Sequence, residues 1–149
     1  LSYILNIETA TKNCSVALAK NGEVVSFREK AGAGYSHAEL LHVYIEDTLA
    51  DAGIHFKDLS AIAVSKGPGS YTGLRIGVSA AKGLCFALDI PLIAVDTLQS
   101  LAKQVKTDAG IIIPMLDARR MEVYSAVYDH NFNRIREVKA EIINENSFS

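Results

Sequence analysis

Leu59-Ser60-Ala61-Ile62-Ala63-Val64-Ser65, then Gly67-Pro68-Gly69-Ser70-Tyr71-Thr72-Gly73-Leu74-Arg75, is the stretch that decides the fold. The apolar run before the glycines has the length of a buried strand. The small residues from Ile76 to Leu88 after them suit a helix, so the segment reads strand, tight turn, helix. A glycine-rich turn that feeds a helix start gathers bare backbone N–H groups and a partial positive charge, which suits an anion. The same glycines serve equally to turn the chain sharply or to let two backbones pack closely, and both readings stand at this point. A nucleotide-hydrolysing P-loop does not match, because its last glycine precedes lysine and a hydroxyl residue, whereas Gly73 precedes Leu74 and Arg75.

Upstream, Tyr3–Glu8 is β-rich and runs into the polar Thr9-Ala10-Thr11-Lys12-Asn13, after which Cys14–Ala19 alternates apolar and small residues. Asn21-Gly22 marks a tight hairpin into Glu23–Arg28, so three strands follow one another. Ser36 with Glu39 three positions on forms a capping box, and Leu40, Leu41, Tyr44, Ile45, Thr48 and Leu49 keep helical spacing up to Gly53. Downstream, strands are predicted at Leu92–Val95, Ile111–Leu116, Val123–Tyr128 and around Ile135–Ile143, with a helix at Thr97–Val105 and another at Tyr71–Leu88. This order predicts an α/β fold with a mixed sheet. The polar, glycine-ended Lys106–Gly110 break predicts a division into 1–106 and 107–149. The second part, too short for an independent domain, echoes the strand-strand-strand opening of the first.

The composition, 49% hydrophobic and 21% charged over 149 residues, excludes a disordered chain, and a net charge of -2 provides no global pull towards nucleic acid or an anionic membrane. Cys14 and Cys85 stand alone in apolar stretches, which predicts reduced, buried thiols and a cytoplasmic protein. No apolar window has the length of a membrane span.

Glu8 ends the first predicted strand beside Thr9 and Thr11, where a carboxylate and hydroxyls make a candidate ligand cleft, although a strand-end Glu also serves as a solvated or capping group. His37 and His42 are five positions apart on the first helix and point to different faces, and His55 and His130 have no neighbours at ligand spacing, so no metal site is predicted. Asp117-Ala118-Arg119-Arg120-Met121-Glu122 places four charges in a strand-to-strand turn, either a solvated turn or a recognition surface. Gly73, Gly77, Ala80, Ala81 and Gly83 make a small-residue surface on the helix after the glycine turn. It suits close packing on the chain's own sheet or on a second subunit.

Taken together, Ile7-Glu8-Thr9-Ala10-Thr11, Cys14-Ser15-Val16-Ala17-Leu18, the segment from Gly67 to Gly77, Pro91-Leu92-Ile93-Ala94-Val95 and Asp117-Ala118-Arg119 with Glu122-Val123-Tyr124 resemble the TsaB (YeaZ) family of bacteria, in the expected order along the whole chain. The resemblance implies an actin-like, sugar-kinase and Hsp70 ATPase type of fold built on a ribonuclease H-like motif, with a mixed sheet flanked by helices. It further implies two related lobes, of which 107–149 would be an incomplete second. The implied role is in making threonylcarbamoyladenosine beside the tRNA anticodon, as a non-catalytic scaffolding or activating subunit that dimerises with the catalytic TsaD-like paralogue. A TsaE-like ATPase completes the expected partners, with a homodimer when alone, tRNA met only indirectly, and no membrane.

The paralogue carries His-Met-Glu-Gly-His where this chain reads Thr97-Leu98-Gln99-Ser100-Leu101, so its two metal-binding histidines are replaced by Thr97 and Leu101. No resident cofactor is expected, with ATP or ADP at a heterodimer junction compatible with the fold. Glycoprotease labels used for the family find no His-Glu-x-x-His here. The resemblance places the interface on the first-lobe helices, giving Leu41, Tyr44, Ile45, Leu74, Val78 and Ala81 as candidates. Gly67, Gly69, Ser70, Thr72, Gly73 and Arg75 are then a structural motif, with Arg75 available to a partner's carboxylate. An ATP-binding phosphotransferase or ATPase of the same fold is the competing reading, for which Glu8, Thr9 and Thr11 would line the cleft.

Overall fold

The computed structural model describes residues 2–31 and 37–148. It divides into two compact units, one made of Leu1–Lys66 with Ser70–Val95 and the other of Gly67–Gly69 with Asp96–Ser149.

The first unit is a five-stranded mixed sheet with two helices. Strands β1 (Tyr3–Glu8), β2 (Asn13–Lys20) and β3 (Glu23–Ala31) form an antiparallel meander. The β2–β3 turn is made by Asn21 at φ 52° and Gly22 at φ 93°, the left-handed pair that an Asn-Gly hairpin demands. Helix α1 (His37–Asp51) and a short 3-10 turn (Phe56–Asp58) lead to β4 (Ala61–Gly67), which pairs parallel to β1. Helix α2 (Tyr71–Leu88) then returns the chain to β5 (Leu92–Asp96), giving the order β3-β2-β1-β4-β5. The mixed sheet with flanking helices is the architecture that the resemblance implied. The Ser36 capping box lies outside the described residues.

Alternation within the strands turns one face of the sheet inward. Leu5 and Ile7 of β1, Val16 and Leu18 of β2, and Ile62 and Val64 of β4 pack against Leu41, Ile45 and Leu49 of α1 and Ala81 and Cys85 of α2. Each fully buried Leu or Ile contributes about 1.5–3 kcal/mol relative to exposure, so this layer outweighs any surface contact in the unit. Ala61 to Ser65 of β4 are buried without alternation, as expected of a parallel-paired strand inside a sheet.

The second unit carries helix α3 (Thr97–Ala102) and strands β6 (Ile111–Ile112), β7 (Met115–Arg119), β8 (Glu122–Asp129) and β9 (Arg134–Ile142). β8 pairs antiparallel with β6, β7 and β9. Leu98 and Ala102 of α3 close a core with Ile112, Ala126 and Tyr128. That packing is why the unit begins at Asp96, whereas the polar break in the sequence suggested residue 107. The strand expected at Ile111–Leu116 is split, since Pro114 has no N–H to give the ladder. The helix expected to reach Val105 ends at Ala102.

Asp96, only 8% exposed, caps α3. Its Oδ1 accepts from the Leu98 and Gln99 amides at 3.1 Å each, while Oδ2 takes the Arg134 guanidinium at 2.9 Å. No described helix is long and apolar enough to cross a membrane.

Candidate functional site

The candidate cleft of the sequence is a built structure, centred on the β1–β2 turn. Glu8 is the last residue of β1. Its Oε1 accepts from the Ala10 amide at 2.6 Å, and its Oε2 accepts from the hydroxyl of Ser65 on β4. Both carboxylate oxygens are therefore engaged in holding the turn and the neighbouring strand. Thr9 is 1% exposed and its hydroxyl donates to the Gly73 carbonyl at 2.8 Å. The Ala10 carbonyl accepts from the Ser70 amide at 2.7 Å. Thr11 turns the other way, its hydroxyl accepting from the Asn13 amide at 3.2 Å and its carbonyl lying 2.8 Å from His37 Nε2.

The glycine motif is the other half of this joint. Ser70 is the N-cap of α2, its hydroxyl accepting from the Gly73 amide at 3.3 Å. A methyl group on Gly73 would overlap the Thr9 carbonyl oxygen, and one on Gly77 would overlap the Thr9 hydroxyl. Two glycines one helical turn apart thus let α2 rest directly on the β1–β2 turn, and Ala81, 0% exposed, continues the same face into the core. Of the two roles left open for the small-residue face, packing on the chain's own fold is the one realised at Gly73, Gly77 and Ala81. Gly83 meets nothing within 4 Å.

The candidate interface residues separate on the same criterion. Leu41, Ile45 and Ala81 are buried at 1% exposure or less and are core, so they present no surface to a partner. Tyr44, Leu74 and Val78 are half-buried. The outward face of α2 carries instead Tyr71, Arg75, Lys82 and Phe86, with Phe86 92% exposed; the Arg75 guanidinium lies 5.6 Å from the centre of the Tyr71 ring. Thr72 is exposed, and Gly67 adopts φ 111°, a conformation that demands glycine; Gly67 and Gly69 group with the second unit.

In the second unit, Arg120 and Met121 turn β7 into β8, and Asp117 within β7 accepts at Oδ1 from the Arg119 amide at 2.7 Å, where the ladder is irregular. Arg119, Arg120 and Met121 are all left-handed, at φ 65°, 53° and 67°, and all exposed. Thr97 and Leu101 both lie on α3, with Thr97 buried and Leu101 36% exposed. Burial raises the Cys14 and Cys85 thiols above their ordinary pKa, which keeps them protonated and unreactive at neutral pH. Among the described residues no group of three or more His, Cys, Asp or Glu is placed to hold a metal ion. Two contributors went unpredicted: Ser65, indistinguishable from any strand-end serine, and Asp96, whose position before Thr97-Leu98 is a readable cap signal.

The chain is similar in sequence and fold to known proteins. The family described as TsaD, tRNA N6-adenosine threonylcarbamoyltransferase, matches residues 31–147. YeaZ from Pseudomonas aeruginosa superposes with a TM-score of 0.86 at 31% identity, over 97% of this chain and 70% of that one. The chain belongs to the TsaB/YeaZ family. Curated relatives named tRNA threonylcarbamoyladenosine biosynthesis protein TsaB are 38% identical in Escherichia coli, over 89% of this chain and 57% of the relative, and 37% identical in Bacillus subtilis, over 91% and 58%. The chain thus spans somewhat under three-fifths of the length of these two TsaB relatives. The ethanolamine utilization protein EutJ from Carboxydothermus hydrogenoformans, TM-score 0.52 at 14% identity, shares the fold alone. TsaB/YeaZ membership accounts for the order of the motifs: the carboxylate turn, the glycine-faced helix and the second meander lie in the part of the chain that matches YeaZ.

Proposed function

We propose that this TsaB/YeaZ chain is a non-catalytic, scaffolding subunit in the making of threonylcarbamoyladenosine on tRNA, working by association with a TsaD-like catalytic paralogue and served by a TsaE-like ATPase. The observation that carries this reading is the state of the candidate cleft. The Glu8 oxygens each accept from Ser65 or Ala10, Thr9 is buried under Gly73, and Gly73 and Gly77 serve as packing surface. A general base or an anion cradle works best with free acceptors or free amides, whereas here each Glu8 oxygen already accepts a hydrogen bond and the Ser70 and Gly73 amides are already given to Ala10 and Ser70. We assign the lobes correspondingly, the first unit as the first lobe and the second as the opening of the next, in the cytoplasm with tRNA met through the partner.

The association surface is the outward face of α1 and α2, where Tyr44 and Val78 are half-buried and Val43 (51% exposed) and Phe86 lie open. Aromatic residues and Arg at such a face are the residue types that dominate interface energetics. Co-purification with a TsaD-like protein, followed by tRNA modification with and without this chain, tests the reading. Modification that needs this chain, and is lost with Phe86→Glu while the circular dichroism spectrum stays native, supports it. Micromolar ATP binding with turnover by the chain alone would overturn it.

A further inference from the structure

The Arg119-Arg120-Met121 hairpin tip is left unused by the functional reading. Both guanidiniums are exposed without an ion-pair partner among the described residues, and Met121 is 85% exposed between them and Glu122. Across the ladder from Glu122 lies Ile142, 58% exposed. Arginine and methionine together, with an exposed isoleucine, have the composition of a protein contact rather than a phosphate track. The flanking carboxylates Asp117 and Glu122 leave the turn with no net charge to draw a nucleic-acid backbone, so its two arginines suit individual ion pairs rather than a phosphate track.

A complementary surface exists on the chain itself. At the end of α1 a recess of about 330 Å³ is lined by Leu49, Ala50, Ile54 and Phe56, with Glu46 and His55 also in its wall. The segment from Glu46 to Asp58 carries four carboxylates against one lysine. Asp51 is paired with Arg28, but the exposed Glu46 and Asp47 have no ion-pair partner among the described residues. We propose that the hairpin tip of one copy docks into this recess of a second copy, Met121 entering the apolar wall and Arg119 and Arg120 meeting Glu46 and Asp47. The contact is head-to-tail, so its two halves lie on different parts of the chain.

That asymmetry supplies the test. Two variants of the chain are compared with the wild type by sedimentation equilibrium at low and high salt: Arg119→Glu with Arg120→Glu, and Glu46→Lys with Asp47→Lys. Each reversal alone should weaken self-association by about tenfold or more, as loss of close charge pairs does. An equimolar mixture should regain it, because each reversed half then meets its opposite. Met121→Ser should weaken association without altering its salt dependence. Repeating the series with Phe86→Glu in every chain separates this contact from the α2 surface, which would fail independently. A wild type monomeric at every concentration, reversals without effect, or a mixture as weak as its components would each overturn the proposal.

Discussion

The β1–β2 turn of the first unit and the β7–β8 turn of the second share one device and end in opposite environments. In the first, Glu8 accepts from the amide of Ala10; in the second, Asp117 accepts from the amide of Arg119, again two residues on. A carboxylate that accepts from the amide two residues on fixes the backbone locally as it nears a reversal, from the last residue of β1 in the first case and from within β7 in the second. Beyond that point they diverge. Thr9 and Ala10 are 1% and 2% exposed beneath α2, whereas Met121 is 85% exposed. The difference lies in what covers each turn, since Gly73 and Gly77 bring a helix backbone down onto the first. A local turn motif therefore decides the reversal, and residues some sixty positions away decide whether it is buried.

The comparison breaks most sharply at the glycines. Gly73→Ala places a methyl group against the Thr9 carbonyl, which is backbone and cannot rotate away, so α2 must lift from the turn. The expected loss is about 3 kcal/mol or more, at the upper end of what overpacking costs. Urea unfolding with a far-ultraviolet probe measures it. Ala118→Val, at a half-buried position of β7 beside the uncovered second turn, should cost less than about 1 kcal/mol by the same measurement. Equal losses would show that α2 does not seal the first turn.

Ser65→Ala comes next. It removes the hydroxyl that donates to Glu8 and leaves a carboxylate oxygen without its protein partner at the edge of the core. The cost expected is about 1–2 kcal/mol, because an acceptor deprived of its donor loses more than the mean worth of a hydrogen bond. No side chain among the described residues donates to Asp117 in this way, and Asp117→Ala should lose less than Ser65→Ala does, by the same unfolding assay.

Much of this contrast was legible before any coordinates, and the reasons for the rest are specific. The spacing of Gly73, Gly77 and Ala81 places them on one helical face, and the bounds Tyr71–Leu88 for α2 follow from the turn before them. Periodicity identifies a face but not its neighbour, so own-chain packing and subunit packing were equivalent until Thr9 was seen beneath it. The same ambiguity put Leu41 and Ile45 among interface residues, because a core stripe and an interface stripe have the same period. The break at Pro114 and the cap at Asp96 were readable from residue type alone. The pairing of Glu8 with Ser65 depends on the parallel register of β1 and β4, which no local pattern reports.

A smaller effect separates the two sheets by pH. Beside the second turn, the half-buried Glu141 accepts from Arg136 at 2.5 Å and from Ser125 at 2.6 Å, and the Arg136 guanidinium stacks 4.8 Å from the Phe148 ring. The Arg136 hydrogen bond, with that of Ser125 behind it, holds the Glu141 carboxyl below its ordinary pKa. A carboxylate with a lowered folded pKa binds its proton more readily when unfolded, so its contribution is complete above the ordinary value, about 4.3, and fades as pH falls through the lowered one. Glu141→Gln should therefore reduce the difference in stability between pH 7 and pH 3, measured by urea midpoints at both. An unchanged difference would mean that Arg136 does not hold the carboxylate in solution.

The smallest effect sharpens the comparison from the exposed side. Arg120 sits at φ 53° between two other left-handed residues, a conformation that costs a side-chain-bearing residue roughly 1–2 kcal/mol and glycine almost nothing. Arg120→Gly relieves that strain but adds freedom to the unfolded chain, so the net gain expected is about 0.5 kcal/mol, read as a small rise in the thermal midpoint. The analogous change under α2 has no such reserve, because Thr9 is held by its hydroxyl and by its contact with two glycines. If Arg120→Gly raises stability while weakening the tip-to-recess association, the strain is being retained for the guanidinium that the turn presents. If stability rises and association stays the same, the left-handed run is only the geometry that closes β7 onto β8.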